Sequence, residues 1–403
     1  MLRRIVRRTP PLRAFSSQAP PAQGFKVTGS FVANEAKEVA KLLFGTVTFI
    51  TGTTLIGGYA VENYKHMHPL TPPGQLLDID VDGHNSRIHT RVYPHATSSV
   101  VVVLDGSAGE TSFDFEKVAP KLAEFATVVA IDRPGLGYSS PGALPRSVET
   151  ISKEYMAVLA QLDVANKQLV LVGHGNGGYN MRQLAADLPS SSLSLQCDGL
   201  VLVDALHESV RGRMDAIAPA IQTALAKREA NPATLLRYSH WGLLRLVHWM
   251  QQKRNAQRFT PDARLFVDSF APSPPHRRGV AHEANAVART EDRFLQSPPP
   301  TLSVPLVVLS HETTDMFATM LFEPDVEPAM LAAMEDAWNQ GQCALLSVSS
   351  HSVAHRIVQG ADIPHEKPEE LIAAVLAVVN EVQGKPEGGV ATLTTSVCDV
   401  ASA

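Results

Sequence analysis

Few residues in this chain combine a reactive side chain with a setting that could use it. Ser107 lies in Asp105-Gly106-Ser107-Ala108-Gly109, directly after an apolar run, and offers a hydroxyl in a turn. A hydroxyl attacks a carbonyl only when a neighbouring base takes its proton; serine is also a common turn former, so a purely local role fits the same residue. His174 stands in the glycine-rich stretch Val172-Gly173-His174-Gly175-Asn176-Gly177-Gly178 and reads as a core or supporting histidine pointing back toward the sheet. Two mixed clusters follow later apolar runs: Asp204 with His207 and Glu208, and His311 with Glu312 and Asp315. Neither has the ligand spacing of a metal site, and no metal or cofactor is expected. His351, His355 and His365 come near the end, with His365 read as a solvated residue at the start of the last helix.

Such groups need rigid elements to hold them. Val100–Leu104, Thr127–Ile131, Leu169–Val172, Leu200–Val203 and Leu306–Leu309 are near-continuous apolar runs separated by helical patterns at about 116–124 and 147–162. Strands that are apolar on both sides belong to a mostly parallel sheet covered on both faces by helices. Polar and glycine residues gather just after these runs, at the carboxyl ends of the strands, where open α/β sheets place ligands. From about 205 to 295 the alternation stops and a helical insertion rich in Arg and His takes over, carrying Trp241 and Trp249. Its place between two sheet strands predicts a lid over the strand ends, with the two tryptophans packing between lid helices.

Several of these segments, in order, resemble the α/β-hydrolase family. Gly173-His174-Gly175-Asn176-Gly177 is similar to the family's nucleophile elbow, Gly-x-Ser-x-Gly, in the required strand–turn–helix setting. Asp132-Arg133-Pro134-Gly135-Leu136-Gly137-Tyr138-Ser139 resembles the Asp-Arg-x-Gly-x-Gly-x-Ser segment one strand earlier, and the stretch from Trp338 to Glu369 resembles the closing segment that carries the base. The resemblance covers residues 76–383 and implies an α/β-hydrolase fold with a helical lid. It also exposes two substitutions. The nucleophile position holds Gly175, which has nothing to attack with, and the base position holds Ala361, whose methyl group accepts no proton. The acid could survive as Asp315 or Asp204, while Gly106, Ser107 and Asn176 are the residues expected to face a ligand.

Charge is distributed unevenly. The 403 residues carry a net −5, but residues 1–34 contain six basic residues and no acid, which leaves −11 on the remainder. Arg3, Arg4, Arg7 and Arg8 share one helical face opposite Leu2, Ile5 and Val6, the composition of an organellar transit peptide and here read as mitochondrial. Residues 42–61 are uncharged and, at 20 residues, long enough to cross a hydrocarbon core of about 30 Å, so they are expected to form a single membrane anchor. The acidic balance excludes a nucleic-acid-binding protein, and three widely spaced cysteines exclude a disulfide framework. Residues 384–403, rich in small and hydroxyl residues, are expected to form a flexible tail. The reading is a membrane-anchored, catalytically degenerate hydrolase-fold protein that keeps a pocket for a partner or a small apolar or amphipathic ligand. The alternatives are an active hydrolase on ester, acyl or epoxide-like substrates, with Ser107 as displaced nucleophile and His365 or His351 as base, and a non-hydrolytic enzyme using only an oxyanion hole.

Overall fold

The computed structural model describes residues 29–164, 166–228, 231–313, 316–323, 325–360, 362–385, 387–393 and 398. Residues 1–28 of the anticipated 1–34 leader and two of the anticipated site residues, Asp315 and Ala361, lie outside them, while residues 29–34 begin the helix Gly29–Met67. The chain divides into two compact units, the first ending at Thr54 and the second beginning at Leu55.

The second unit is built on one sheet of eight strands: β1 (Gln75–Val81), β2 (His84–Tyr93), β3 (Val100–Asp105), β4 (Thr127–Ile131), β5 (Gln168–His174), β6 (Cys197–Val203), β7 (Leu306–His311) and β8 (Val353–Val358). Their spatial order is β1-β2-β4-β3-β5-β6-β7-β8. The first two strands pair antiparallel and β2 joins β4 antiparallel; every later pairing is parallel. All five apolar runs are central strands, and every residue of β3 and β7 is buried. Alternation along the strands divides their side chains between two cores. Val101, Val103, Leu171 and Leu202 meet Tyr155 and Leu159 of the helix Val148–Leu159 on one face. Val102, Leu104, Val172 and Val203 meet Leu371, Val375 and Val378 of the helix Pro368–Val382 on the other. Burying one such side chain stabilises by about 1.5–3 kcal/mol, which makes the sheet a rigid base for its loops.

Between β6 and β7 the described residues form seven helices, from Ser209–Asp215 to the 23-residue Pro274–Gln296. The latter crosses the sheet's carboxyl edge closely enough that a Cβ on Gly279 would lie 2.6 Å from the carbonyl carbon of Gly135, so this crossing requires glycine. Trp241 sits 6.0 Å, ring to ring, from Tyr59 of the helix Gly29–Met67, and Arg245 holds Glu62 through two hydrogen bonds of 2.7 and 2.9 Å. Trp241 therefore packs on the N-terminal helix; Trp249 is largely exposed. Among the described residues one helical segment, Ala33–Met67, is long and apolar enough to cross a membrane by length and composition, and none of its most apolar window is buried. It contains the anticipated span 42–61 and exceeds it at both ends.

Among the described residues, part of the stretch anticipated as a flexible tail is held against the domain. Val390 is buried and its N–H donates to Glu381 Oε2 at 2.9 Å, while Cys398 forms a disulfide with Cys343. Asn380 reaches back to the Gly388 carbonyl at 3.2 Å, so the glycine turn folds this stretch onto the last helix.

One buried cation joins three of these elements. Arg133, just after β4, is 1% exposed. It donates to Asp105 at the end of β3, to both oxygens of Glu283 on Pro274–Gln296 at 2.7 and 2.8 Å, and to the Gly106 and Ser107 carbonyls at 2.8 Å. Removing one member of a buried charge network leaves the others uncompensated, at a cost of about 3–5 kcal/mol. Arg133→Ala is expected to lose about that much in urea unfolding. Arg133→Lys should recover little of it, because one ammonium cannot reproduce the planar fork.

Candidate functional site

The turn after β5 has the geometry of an elbow without its side chain. Gly175 has φ +53°, a left-handed conformation that glycine adopts at little cost. Its N–H donates to Val203 O at 2.9 Å and its carbonyl accepts Gly178 N–H at 3.1 Å, where the helix Gly177–Asp187 begins. The space a side chain would enter is filled: a Cβ built on Gly175 would collide with the Ser107 hydroxyl and lie 2.7 Å from Ser107 Cβ. Ser107 thus occupies the space beside Gly175 that a side chain there would enter. Among the described residues no base is hydrogen-bonded to its hydroxyl, because the nearby histidines are engaged elsewhere.

His174 Nδ1 meets Glu110 Oε2 at 2.6 Å, and the same oxygen accepts the Ser107 N–H at 2.7 Å. Burial alone would push the imidazole down, but the charge and hydrogen bond of Glu110 outweigh it and hold His174 up at about 9. Burial would likewise raise Glu110, and the His174 charge, its hydrogen bond and the Ser107 N–H bring it to about 2. The two therefore stand as an ion pair across the neutral range. The Glu110 carboxylate occupies the Ser107 N–H, and its negative charge would repel a second anion brought to that donor.

His365 is a correction to the sequence reading. It is buried, 4% exposed, not solvated. Its Nε2 faces Asp114 Oδ1 at 3.1 Å and its Nδ1 approaches the Arg258 carbonyl at 3.0 Å, because the helix Gln252–Arg258 of the insertion lies against it. Burial lowers this imidazole, and the hydrogen bond and charge of Asp114 raise it above its ordinary value. Asp362 pairs with Arg258 at 3.1 Å. Glu110, Asp114, His174, His365 and Asp362 together face a cavity of about 910 Å³, roofed by residues of the insertion. Glu110, Asp114 and His365 offer ligand atoms within 4.8 Å of one another, so they could approach a cation, although each is already matched by a neighbouring charge or hydrogen bond.

The other anticipated residues lie elsewhere. Ser107 lines the cavity; Gly106 and Asn176 do not, the first accepting from Arg133 and the second preceding the helix Gly177–Asp187. Asp204, in a left-handed conformation at φ +44°, accepts both the His311 N–H at 2.8 Å and its ring Nδ1 at 2.7 Å. This acid does orient a histidine, but His311 Nε2 faces the Met316 sulfur at 3.1 Å rather than a nucleophile. Glu208 is bonded twice to Arg182, and burial lowers its neighbour His207 to about 4. His351 is half-exposed beside Glu381, and His355 is buried between Ser310 and Cys398. Sequence reasoning missed Glu110, Asp114 and the Arg133–Glu283 pair. Only Asp114 had a local signal, the capping box Thr111-Ser112-Phe113-Asp114.

A mostly parallel sheet, an insertion before β7 and an elbow after β5 define an α/β-hydrolase architecture. The sequence matches the alpha/beta hydrolase family over residues 100–374. The chain belongs to that family. Solved structures similar to it include a Nostoc sp PCC 7120 protein assigned to the alpha/beta hydrolases, with 19% identity, a TM-score of 0.54 and coverage of 76% of this chain and 98% of that one. A Pseudomonas aeruginosa protein assigned as an epoxide hydrolase has 17% identity and a TM-score of 0.51, covering 79% and 99%. A Salmonella enterica protein assigned as an acyltransferase has 17% identity and a TM-score of 0.51, covering 78% and 97%. At these identities the likeness concerns the fold alone. No curated protein matches the sequence.

The Glu110–His174 pair makes a pH prediction. Glu110 is depressed when folded, so its contribution is complete above its unfolded value near 4.5 and fades as the pH falls toward about 2. His174 is raised when folded, so its contribution is complete below its unfolded value near 6.5 and fades as the pH rises through about 9. The stability difference between the parent and Glu110→Gln should therefore peak between about pH 4.5 and 6.5, at roughly 3 kcal/mol, and narrow on both sides. Urea unfolding across pH 3 to 9.5 measures it; a pH-independent difference would show that the ion pair does not form.

Proposed function

We propose that this chain is a membrane-anchored α/β-hydrolase-fold protein that has lost hydrolytic chemistry and uses its cavity to bind a ligand. The observation that carries the reading is the turn at Gly175. The nucleophile is absent, the space its side chain would need is taken by Ser107, and the neighbouring N–H donor already holds the Glu110 carboxylate. The sequence adds alanine at the base position, Ala361. Without a nucleophile and base, such a fold retains only the modest rate enhancement of binding and polarisation. A cavity of about 910 Å³ remains, large enough for a small organic ligand. Its walls mix apolar Val267 and Phe270 with charged groups, which favours an amphipathic ligand over a wholly apolar one.

Anchoring rests on the segment Ala33–Met67 and on the exposure of its large apolar side chains, Phe44 at 75% and Phe49 at 71%, which water solvates poorly and lipid covers. The basic, acid-free leader ahead of it favours a mitochondrial membrane. A reporter fused after residue 70 should fractionate with mitochondrial membranes, and a cytosolic reporter would defeat this part of the reading.

Catalysis has its own test. The full chain should leave p-nitrophenyl esters unhydrolysed and should not react with a fluorophosphonate probe. Labelling that disappears in Ser107→Ala would instead establish the alternative, a displaced serine nucleophile. Gly175→Ser should restore no activity and should lower stability, since it introduces a side chain at positive φ into occupied space.

A further inference from the structure

Buried guanidinium groups in this protein come with carboxylates. Arg133 has Asp105 and Glu283, Arg146 has Glu154, Arg182 has Glu208, and the less buried Arg245 has Glu62. Arg277, which is only partly buried, departs from the pattern. It lies one turn into the helix Pro274–Gln296, and its side chain lines the main cavity. Among the described residues it has no ion-pair partner, and its Nε is shielded from solvent without a hydrogen-bond acceptor. Burial pushes the guanidinium below its ordinary value with no opposite charge to offset it. A shielded, unmatched cation is costly, and groups of this kind in a cavity wall await a partner that the chain does not supply.

The surrounding residues define that partner. Four acids line the cavity and none is free: Glu110 is matched by His174, Asp114 by His365 and Asp362 by Arg258, and Glu366 is also engaged. They are not available to Arg277. Its neighbour His276 accepts the Gly137 N–H through Nδ1 at 3.1 Å and, held neutral by burial and by Arg277, does not counter the positive charge. Arg254 lines the same cavity and has no ion-pair partner among the described residues. Apolar surface from Val267, Phe270 and Val280 shares the wall with these cations.

We propose that the cavity binds an amphipathic anion, a carboxylate or phosphate on a short apolar chain, with the anionic group on Arg277 and the chain along Val267, Phe270 and Val280. This rests on the reading that the cavity is kept for binding rather than for hydrolysis. A guanidinium presents paired N–H donors to two oxygens of a carboxylate or phosphate, which gives the site orientation as well as charge. The anion replaces the counter-charge the protein lacks, and the apolar wall separates such a ligand from inorganic ions of the same charge.

The test uses the full chain in lipid nanodiscs, titrated calorimetrically with hexanoate, hexyl phosphate, hexanol and inorganic phosphate. Hexanoate or hexyl phosphate should bind saturably at least tenfold more tightly than hexanol or inorganic phosphate. Arg277→Met should reduce that binding at least tenfold while unfolding at the same or a higher temperature, since it removes an unmatched charge. Arg277→Lys keeps the charge and should stay within a few-fold of the parent, which provides a second reading should the methionine variant fold poorly. The absence of saturable anion binding to the parent, or equal binding by the parent and Arg277→Met, would overturn the proposal. Inorganic phosphate binding as tightly as hexyl phosphate would do so too, by showing that the apolar wall contributes nothing. Ester turnover with anion binding intact would sink the proposed loss of catalysis and leave this site standing.

Discussion

The arrangement of the site depends on keeping one guanidinium dry. Arg133 bonds the end of β3, the loop carrying Ser107 and the long helix of the insertion, with almost none of its surface exposed. An isolated buried charge is untenable, so Asp105 and Glu283 must both be present and oriented. Asp105 is itself fixed by Asn180 Nδ2 at 2.8 Å, which brings the helix after the elbow into the same network. The roof and floor of the cavity are thereby set by one electrostatic requirement rather than by independent loop preferences. Ser107, held by its carbonyl on Arg133 and by its N–H on Glu110, has little freedom to leave the space above Gly175.

That constraint holds the loop over Gly175 in place whether or not the site performs chemistry. In an enzyme of this architecture the elbow residue projects into solvent-accessible space and contributes little to the core. Glycine at Gly175 takes the positive φ at little cost, and Ser107 of the adjacent loop fills the space beside it. The two histidine–carboxylate pairs beside it are matched within the protein itself. They persist as charge-matched parts of a wall.

The central architecture was legible because β3 to β7 bury both faces and leave unbroken apolar runs. The outer strands were not. β2 reads His84-Asn85-Ser86-Arg87-Ile88-His89 and exposes alternate residues, and β8 carries His355 and Arg356 inside its run, so neither shows the signature of a buried strand. The elbow and its missing side chain were visible as a local motif. The partners that define the site were not, because Glu110 meets His174 across 64 positions and Arg133 meets Glu283 across 150. No local pattern encodes such pairs; they follow from where the insertion folds. His365 was misplaced for the same reason, since the start of a helix is ordinarily wet and this one is covered by a carbonyl from another helix.

The bond between Cys343 and Cys398 gives the tail a dependence on its surroundings that the rest of the chain lacks. It closes a loop spanning 55 positions, which in the chain-entropy account restricts the unfolded ensemble by about 4 kcal/mol. That restriction exists only where thiols stay oxidised. In a compartment rich in thiol reductants the described part of the tail rests on non-covalent contacts, among them buried Val390, its bond to Glu381 and the bond from Asn380 to the Gly388 carbonyl. Its grip on the domain thus depends on the redox state of the compartment that holds the protein.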